Sequence, residues 1–190
     1  ASYFVLGLLL RKKDVKKAIH NLQKSVKNPD YALASYLLMA DINEQANQYK
    51  EASTNYLQAL RLADCDTIPV DQSDELFQLY EPILDAHQRV TDIKDIRRLC
   101  SVINTQLMRP DWRDYMTAAR HQLPPQPEGS PPLPLAEMFL ESNSSQMIEA
   151  MISIKQLATQ GKLRSAMEEA YHALTFAPFY LPLHIQMADL

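Results

Sequence analysis

The sequence predicts an all-α protein in which antiparallel helix pairs stack into a superhelix. Three observations carry this. Apolar residues recur at spacings of three and four along nearly the whole chain, the mark of amphipathic helices. Period-two alternation with β-branched residues is missing, and the 190 residues hold only three glycines, Gly7, Gly129 and Gly161, too far apart for hairpins or a phosphate-cradling loop. Similar helices also return at intervals of 33 and 34 residues.

Each element follows from its residues. Tyr3, Leu6 and Leu10, with Gly7 as the small residue where two helices approach, mark the first helix. Ala18, Ile19, Leu22 and Val26 mark the second, which Asn28-Pro29 ends. Tyr36, Met39, Ala40 and Asn43 mark a third, and Ala52, Tyr56, Ala59 and Leu60 a fourth. Leu6 and Met39 are 33 apart while Ala18 and Ala52 are 34 apart, which agrees if the first turn is one residue short.

Tyr80, Ile83, Leu84 and His87, then Ile93, Ile96, Cys100 and Ile103, fit a further pair, with Thr91-Asp92 supplying the N-cap. Ala52 and Ile96 stand 44 apart, so roughly ten residues are inserted, and Cys65–Ser73 is the expected place. The helix holding Pro82 is then expected to start at Ser73–Leu79, with the proline in its early turns and a kink. Leu84 and Ile96 replace small residues, so these two helices should sit further apart. Pro110-Asp111-Trp112 begins a short helix running to about Leu123.

Residues 124–134 carry six prolines and read as a linker of polyproline-II character. The Pro124-x-x-Pro127 and Pro131-x-x-Pro134 spacings are those of aromatic-groove ligands, but a linker is the commoner use. Leu135–Glu141 is a short apolar helix able to pack back. Gly161–Ala166 is a turn entering a helix, continued by Ala170 and Ala173, and His184–Leu190 copies Tyr36–Ile42 in type and spacing.

Bulk chemistry narrows the function. A net charge of −4 argues against a nucleic-acid partner. The basic run Arg11–Lys17 reads as a solvated helix end and turn, with an acidic-partner patch as the other reading. The apolar start followed by a basic run is the reverse of a signal peptide, and no apolar run reaches membrane length. Read as the tail of a span, this start would place the basic run on the cytoplasmic flank; the repeat argues against that, and no membrane partner is expected.

Cys65 and Cys100 form no metal or redox spacing and suit a reducing, cytoplasmic setting. Asn143-Ser144-Ser145 matches a glycosylation triplet that arises often by chance. None of the five histidines has a second histidine or a cysteine three or four residues on, so no metal or other cofactor is expected. His87 falls on the packed stripe of its helix. No nucleophile elbow or zinc-protease motif is present, and the chain is not expected to be an enzyme.

These recurrences resemble the tetratricopeptide repeat family. The residues that carry the likeness are Tyr3-x-x-Leu6-Gly7 beside Tyr36-x-x-Met39-Ala40, and Ala18-x-x-x-Leu22-x-x-Ser25 beside Ala52-x-x-x-Tyr56-x-x-Ala59. Asp64, where the family usually has proline, and Ser153-Ile154 depart from the pattern. The resemblance implies a right-handed α-α superhelix: two repeats in 1–66, an insertion with a degenerate pair and extra helix in 67–123, a proline-rich linker in 124–134, then a short helix, one repeat and the first helix of another in 135–190.

It also implies a concave groove that takes a partner peptide or helix. Helical geometry sends Phe4, Leu8, Arg11, Leu37, Asp41, Glu44, Glu81, Asp85, Arg89, Met151 and Lys155 to that face. Phe4, Leu8, Leu38 and Gln78 stand where one subgroup has lysines and asparagines that clamp a carboxylate, so that activity does not carry over. The groove is filled either by an external partner or by the chain's own Leu133–Leu140.

The expected function is a non-catalytic interaction scaffold, part of a longer repeat protein, with a homodimer through the open C-terminal repeat also admitted. The alternatives are a regulatory sensor joined to an effector domain, and a helical hydrolase or transferase, which would need polar groups converging in a pocket.

Overall fold

Eleven α-helices and no strand make up the described residues of the computed structural model, which are residues 2–123, 126–140, 144–175 and 177–190. In chain order these are α1 Ser2–Leu10, α2 Val15–Ser25, α3 Pro29–Gln45, α4 Tyr49–Cys65, α5 Val70–Arg89, α6 Ile93–Leu107, α7 Trp112–Arg120, α8 Leu135–Leu140, α9 Ser144–Thr159, α10 Leu163–Leu174 and α11 Leu181–Ala188. Pro124 and Pro125 of the linker, Glu141 of the short helix and Asn143 of the glycosylation triplet lie outside the described residues.

Caps and turn chemistry set many boundaries. Asp14 starts α2 by accepting a hydrogen bond from the Lys17 amide at 3.1 Å, and Asp92 starts α6 by accepting from the Lys94 amide at 2.7 Å. Asn28 accepts from the Asp30 amide, with Pro29 in the first turn of α3, where no amide is needed. Asn47 and Gly161 adopt left-handed backbone, with φ of 60° and 73°. After each, the next amide reaches back across the helix end: Gln48 to the Asn43 carbonyl at 2.8 Å, and Lys162 to the Leu157 carbonyl at 2.9 Å. This Schellman geometry satisfies carbonyls that the helix leaves open. Asn47 stands five residues before Ala52, and Gly161 five before Ala166. The α1–α2 turn has no left-handed residue, and it is longer rather than shorter: residues 11–14 separate the helices, against 46–48 and 160–162 in the other two turns.

Small residues recur on the second helix of each pair. Ala18 and Ser25 of α2, Ala52 and Ala59 of α4, and Ala166 and Ala173 of α10 are all buried. They let the paired helices close up. At Gly7 the approach is so tight that an added Cβ would stand 2.6 Å from Leu22 Cγ. One apolar cluster joins Ala18, Leu22, Met39 and Ile42, and a second joins Ile154, Ala166, Ala170, Ala173 and Leu183. The largest surrounds α4 and holds Tyr56, Leu60, Tyr80, Ile103, Met116 and Phe139.

Four expectations change. Cys65–Ser73 is not an inserted loop: α4 runs to Cys65, α5 starts at Val70, and the extra residues lengthen α5 to 20. Pro69 caps that start and Asp71 suits the first-turn dipole, so the helix begins early and Pro82 falls in its interior. Second, α5 and α6 are not a packed pair. Both pack against α4, and α8 bridges them. Leu84 and Ile96 are both buried. Third, Tyr3 and Leu6 are exposed rather than core, because α1 is covered mainly by α2 along its Gly7 side. Fourth, α7 ends at Arg120, short of Leu123. No helix among the described residues is long and apolar enough to cross a membrane.

Candidate functional site

The chain itself occupies much of the space between α5 and α6, leaving a cleft of about 360 Å³ bordered by His87, Val90, Asp95, Arg98, Leu99 and Leu140. Leu135, Ala136 and Phe139 of α8 are buried in the main core, and Pro131–Pro134 lie along α5. A polar hub fixes this strap. Asp64, fully buried near the end of α4, accepts from the Tyr80 hydroxyl at 2.7 Å and from the Leu135 amide at 2.7 Å. Arg120 completes it, donating to Asp64 and, at 3.1 Å, to the Leu133 carbonyl. Burial raises the Asp64 carboxyl above its ordinary value, while Arg120, the Leu135 amide and Tyr80 pull it back down. Burial, then Asp64, raise the Tyr80 hydroxyl well above the usual phenol, which keeps it a donor.

A second polar group joins α4 to the end of α5. Lys50 Nζ donates to the His87 and Val90 carbonyls, each at 2.6 Å, placing a cation at the negative end of α5. Ser53 Oγ donates to the Lys50 carbonyl at 2.9 Å and lies 2.6 Å from His87 Nε2. The hydroxyl has one proton, so the tautomer of His87 decides whether Ser53 donates to Nε2 or accepts from it. Burial, then Lys50, push His87 down to about 4. A serine nucleophile would have to donate to a bare imidazole nitrogen and also meet a substrate. Ser53 is also sealed from solvent. This pair therefore packs helices together, as expected of a histidine on the apolar stripe of α5.

The residues assigned to the concave face are dispersed among several surfaces. Arg11 and Asp41 line a cleft of about 580 Å³ between the ends of α1 and α3. Phe4 stacks at a tilt on Tyr31 at 5.5 Å, Leu8 is exposed, and Leu37 packs against the main core. Glu44 accepts from the Tyr56 hydroxyl at 2.8 Å. Glu81 pairs with Arg61 at 2.5 Å, and Asp85 and Arg89 are exposed. On α5 a different stripe, Leu79, Pro82, Ile83 and Ala86, borders a cleft, of about 440 Å³, against the strap.

Met151 and Lys155 line the remaining surface of interest, a cleft of about 450 Å³ between α7, α9 and α11. Ile185 and Asp189, each 34 residues further on, line it too. Ala158, Pro182 and Leu190 add apolar wall, and His121 and Gln122 close one side. Gln186 donates to the Met151 carbonyl at 3.0 Å and ties α11 to α9 there. The floor is apolar, with Lys155 and Asp189 as its charged groups, which suits a short apolar segment with polar ends. Among the described residues no group of histidine, cysteine, aspartate or glutamate is placed to hold a metal ion.

The hub was not foreseen. Asp64 had one signal in the sequence, an acid on the same stripe as Ala52, Tyr56, Ala59, Leu60 and Ala63. Arg120 had none, because its partner lies 56 residues away. Comparison of the chain with protein-family models, curated proteins and solved structures finds no match.

Proposed function

We propose that this chain is a non-catalytic protein-interaction scaffold, a right-handed tetratricopeptide-like superhelix that takes a partner peptide or short helix in a concave groove in the cytoplasm. The observation that carries this reading is the register of one cleft. Met151 and Lys155, assigned to the concave face, and their equivalents one repeat later, Ile185 and Asp189, line it together. The matched turns at Asn47 and Gly161 and the buried small residues of α2, α4 and α10 support the same repeat. At α5 and α6 the returning α8 occupies much of the space, so the reading places the partner in the cleft of α9 and α11 instead.

Selection from a displayed peptide library tests the proposal. The intact chain should enrich peptides with an apolar centre and charged ends. Fluorescence anisotropy should then show at least a tenfold loss of affinity with Ile185→Glu or Met151→Lys, about the effect of one lost hot-spot contact. Equal binding by wild type and both variants, or failure to enrich any peptide, would overturn it.

A further inference from the structure

We infer that α1 and the basic segment after it form a peripheral docking surface for an anionic lipid bilayer. The helix lies in the interface, and the cations meet the headgroups. Two independent features converge here. The first is α1 itself, SYFVLGLLL, which is apolar nearly all round and has only Gly7 buried. Tyr3, Val5, Leu6, Leu8 and Leu9 are each at least 40% exposed, with Leu9 at 66%. So much contiguous apolar surface marks a contact site.

The second is charge. Residues 11–27 hold seven lysines and arginines and one acid, Asp14, in a chain whose net charge is −4. All seven are exposed. Positive charge is thus concentrated in one place on an otherwise acidic protein.

The fold brings the two features together. Arg11, Lys12 and Lys13 follow the last turn of α1 directly, and α2 packs alongside it. At the other end, Lys24 Nζ sits 5.4 Å over the Tyr3 ring. The apolar helix therefore has cations at both ends. Asp14 is engaged by Lys17 at 3.1 Å, and Asp41 faces Arg11 and Lys12 across their shared cleft, so acids offset only part of the charge.

A bilayer fits this surface better than an acidic protein does. The lysines are long, exposed and spread over both ends of a helix, and the cleft that Arg11 and Lys12 line already holds the Asp41 carboxylate, which would repel a partner's acid there. Mobile headgroups need no pocket, and apolar insertion and headgroup attraction add together. The expectation of no membrane partner rested on span length, and an interfacial helix needs none.

Co-sedimentation of the 190-residue chain with vesicles tests this. Binding to phosphatidylcholine vesicles carrying about 30% phosphatidylserine should be at least tenfold tighter than to phosphatidylcholine alone, and should weaken about tenfold on raising the salt from 0.05 to 0.5 M. Leu9→Glu, and the pair Lys12→Glu with Lys16→Glu, should each cut it about tenfold with unchanged circular dichroism. Lys162→Glu, far along the chain, should change nothing. No binding to either vesicle, equal binding to both, or binding indifferent to Leu9 and Lys12/Lys16 would overturn the inference. So would a soluble acidic peptide binding the same surface while vesicles do not.

Discussion

Asp64 and Arg120 form an ion pair beneath the segment that leads into α8, with Asp64 fully buried and Arg120 nearly so. Arg120 also holds the Leu133 carbonyl, and Asp64 also holds the Leu135 amide, so the pair clasps the returning chain from both partners. Removing one charge leaves the other buried and unmatched. Asp64→Asn is expected to cost about 3 kcal/mol or more of stability by urea denaturation. It should also open residues 126–134 to limited proteolysis. The double replacement Asp64→Leu with Arg120→Met should cost less than either single change, because no unpaired charge remains.

Phe139 tests the filling of the α5–α6 gap. It is fully buried and belongs to the core around α4. Phe139→Ala should destabilise the fold by about 3 to 5 kcal/mol, through lost transfer energy and a residual cavity. Glu137→Ala, on the exposed side of the same helix, should change stability by less than about 0.5 kcal/mol. Similar denaturation midpoints for the two variants would show that α8 does not seal the core.

The two left-handed turns give opposite predictions. Asn47 holds φ at 60°, a conformation that costs glycine nothing, and its side chain accepts a hydrogen bond from the Tyr49 hydroxyl at 2.8 Å. Asn47→Gly should raise stability by up to about 1 kcal/mol, less whatever that exposed contact contributes. Gly161→Ala should lower it by about 1 kcal/mol, although nothing lies within 4 Å of the added Cβ. Thermal melts of both variants check the signs. Gly7→Ala fails for a different reason, the 2.6 Å approach to Leu22, and should lower stability despite the better helix propensity of alanine.

Helix positions, the small-residue stripes and the turn at Gly161 were legible because each is written in neighbouring residues. A cap is two or three positions from the amide it satisfies, and a stripe repeats every three or four. The start of α5 was not legible, for a related reason. Repeat spacing suggested that extra residues form a loop, but Val70–Arg89 pattern equally well as a longer helix. The candidate cleft was half legible: spacing named Met151 and Lys155, while Ile185 and Asp189 came from the packing of α11 on α9.

His87 predicts a pH dependence. It titrates at about 4 in the fold, below its ordinary value of 6.5, because burial and Lys50 disfavour the imidazolium. Unfolding therefore takes up a proton, and stability contributed above pH 6.5 is lost as pH falls toward 4. Between pH 7 and pH 5 wild type should lose about 2 kcal/mol through this group. His87→Gln should lose correspondingly less over the same interval, even if its stability at pH 7 is lower. Parallel urea midpoints for both proteins across that range would remove His87 as the cause.

The sequence by itself determined that this chain is helical, where α6, α7 and α8 begin, and which small residues let the early and late pairs close up. Those are local properties, set by periodicity, caps and backbone conformations within a few residues. Only the tertiary structure decided that α5 and α6 do not pair, that α8 returns to contact both of them, and that Asp64 meets Arg120 across 56 residues. Whether two helices touch depends on which face of each a third helix takes, here α4, against which both α5 and α6 pack. It depends equally on another segment being free to return and bury Phe139 there. Spacing along the chain records neither condition.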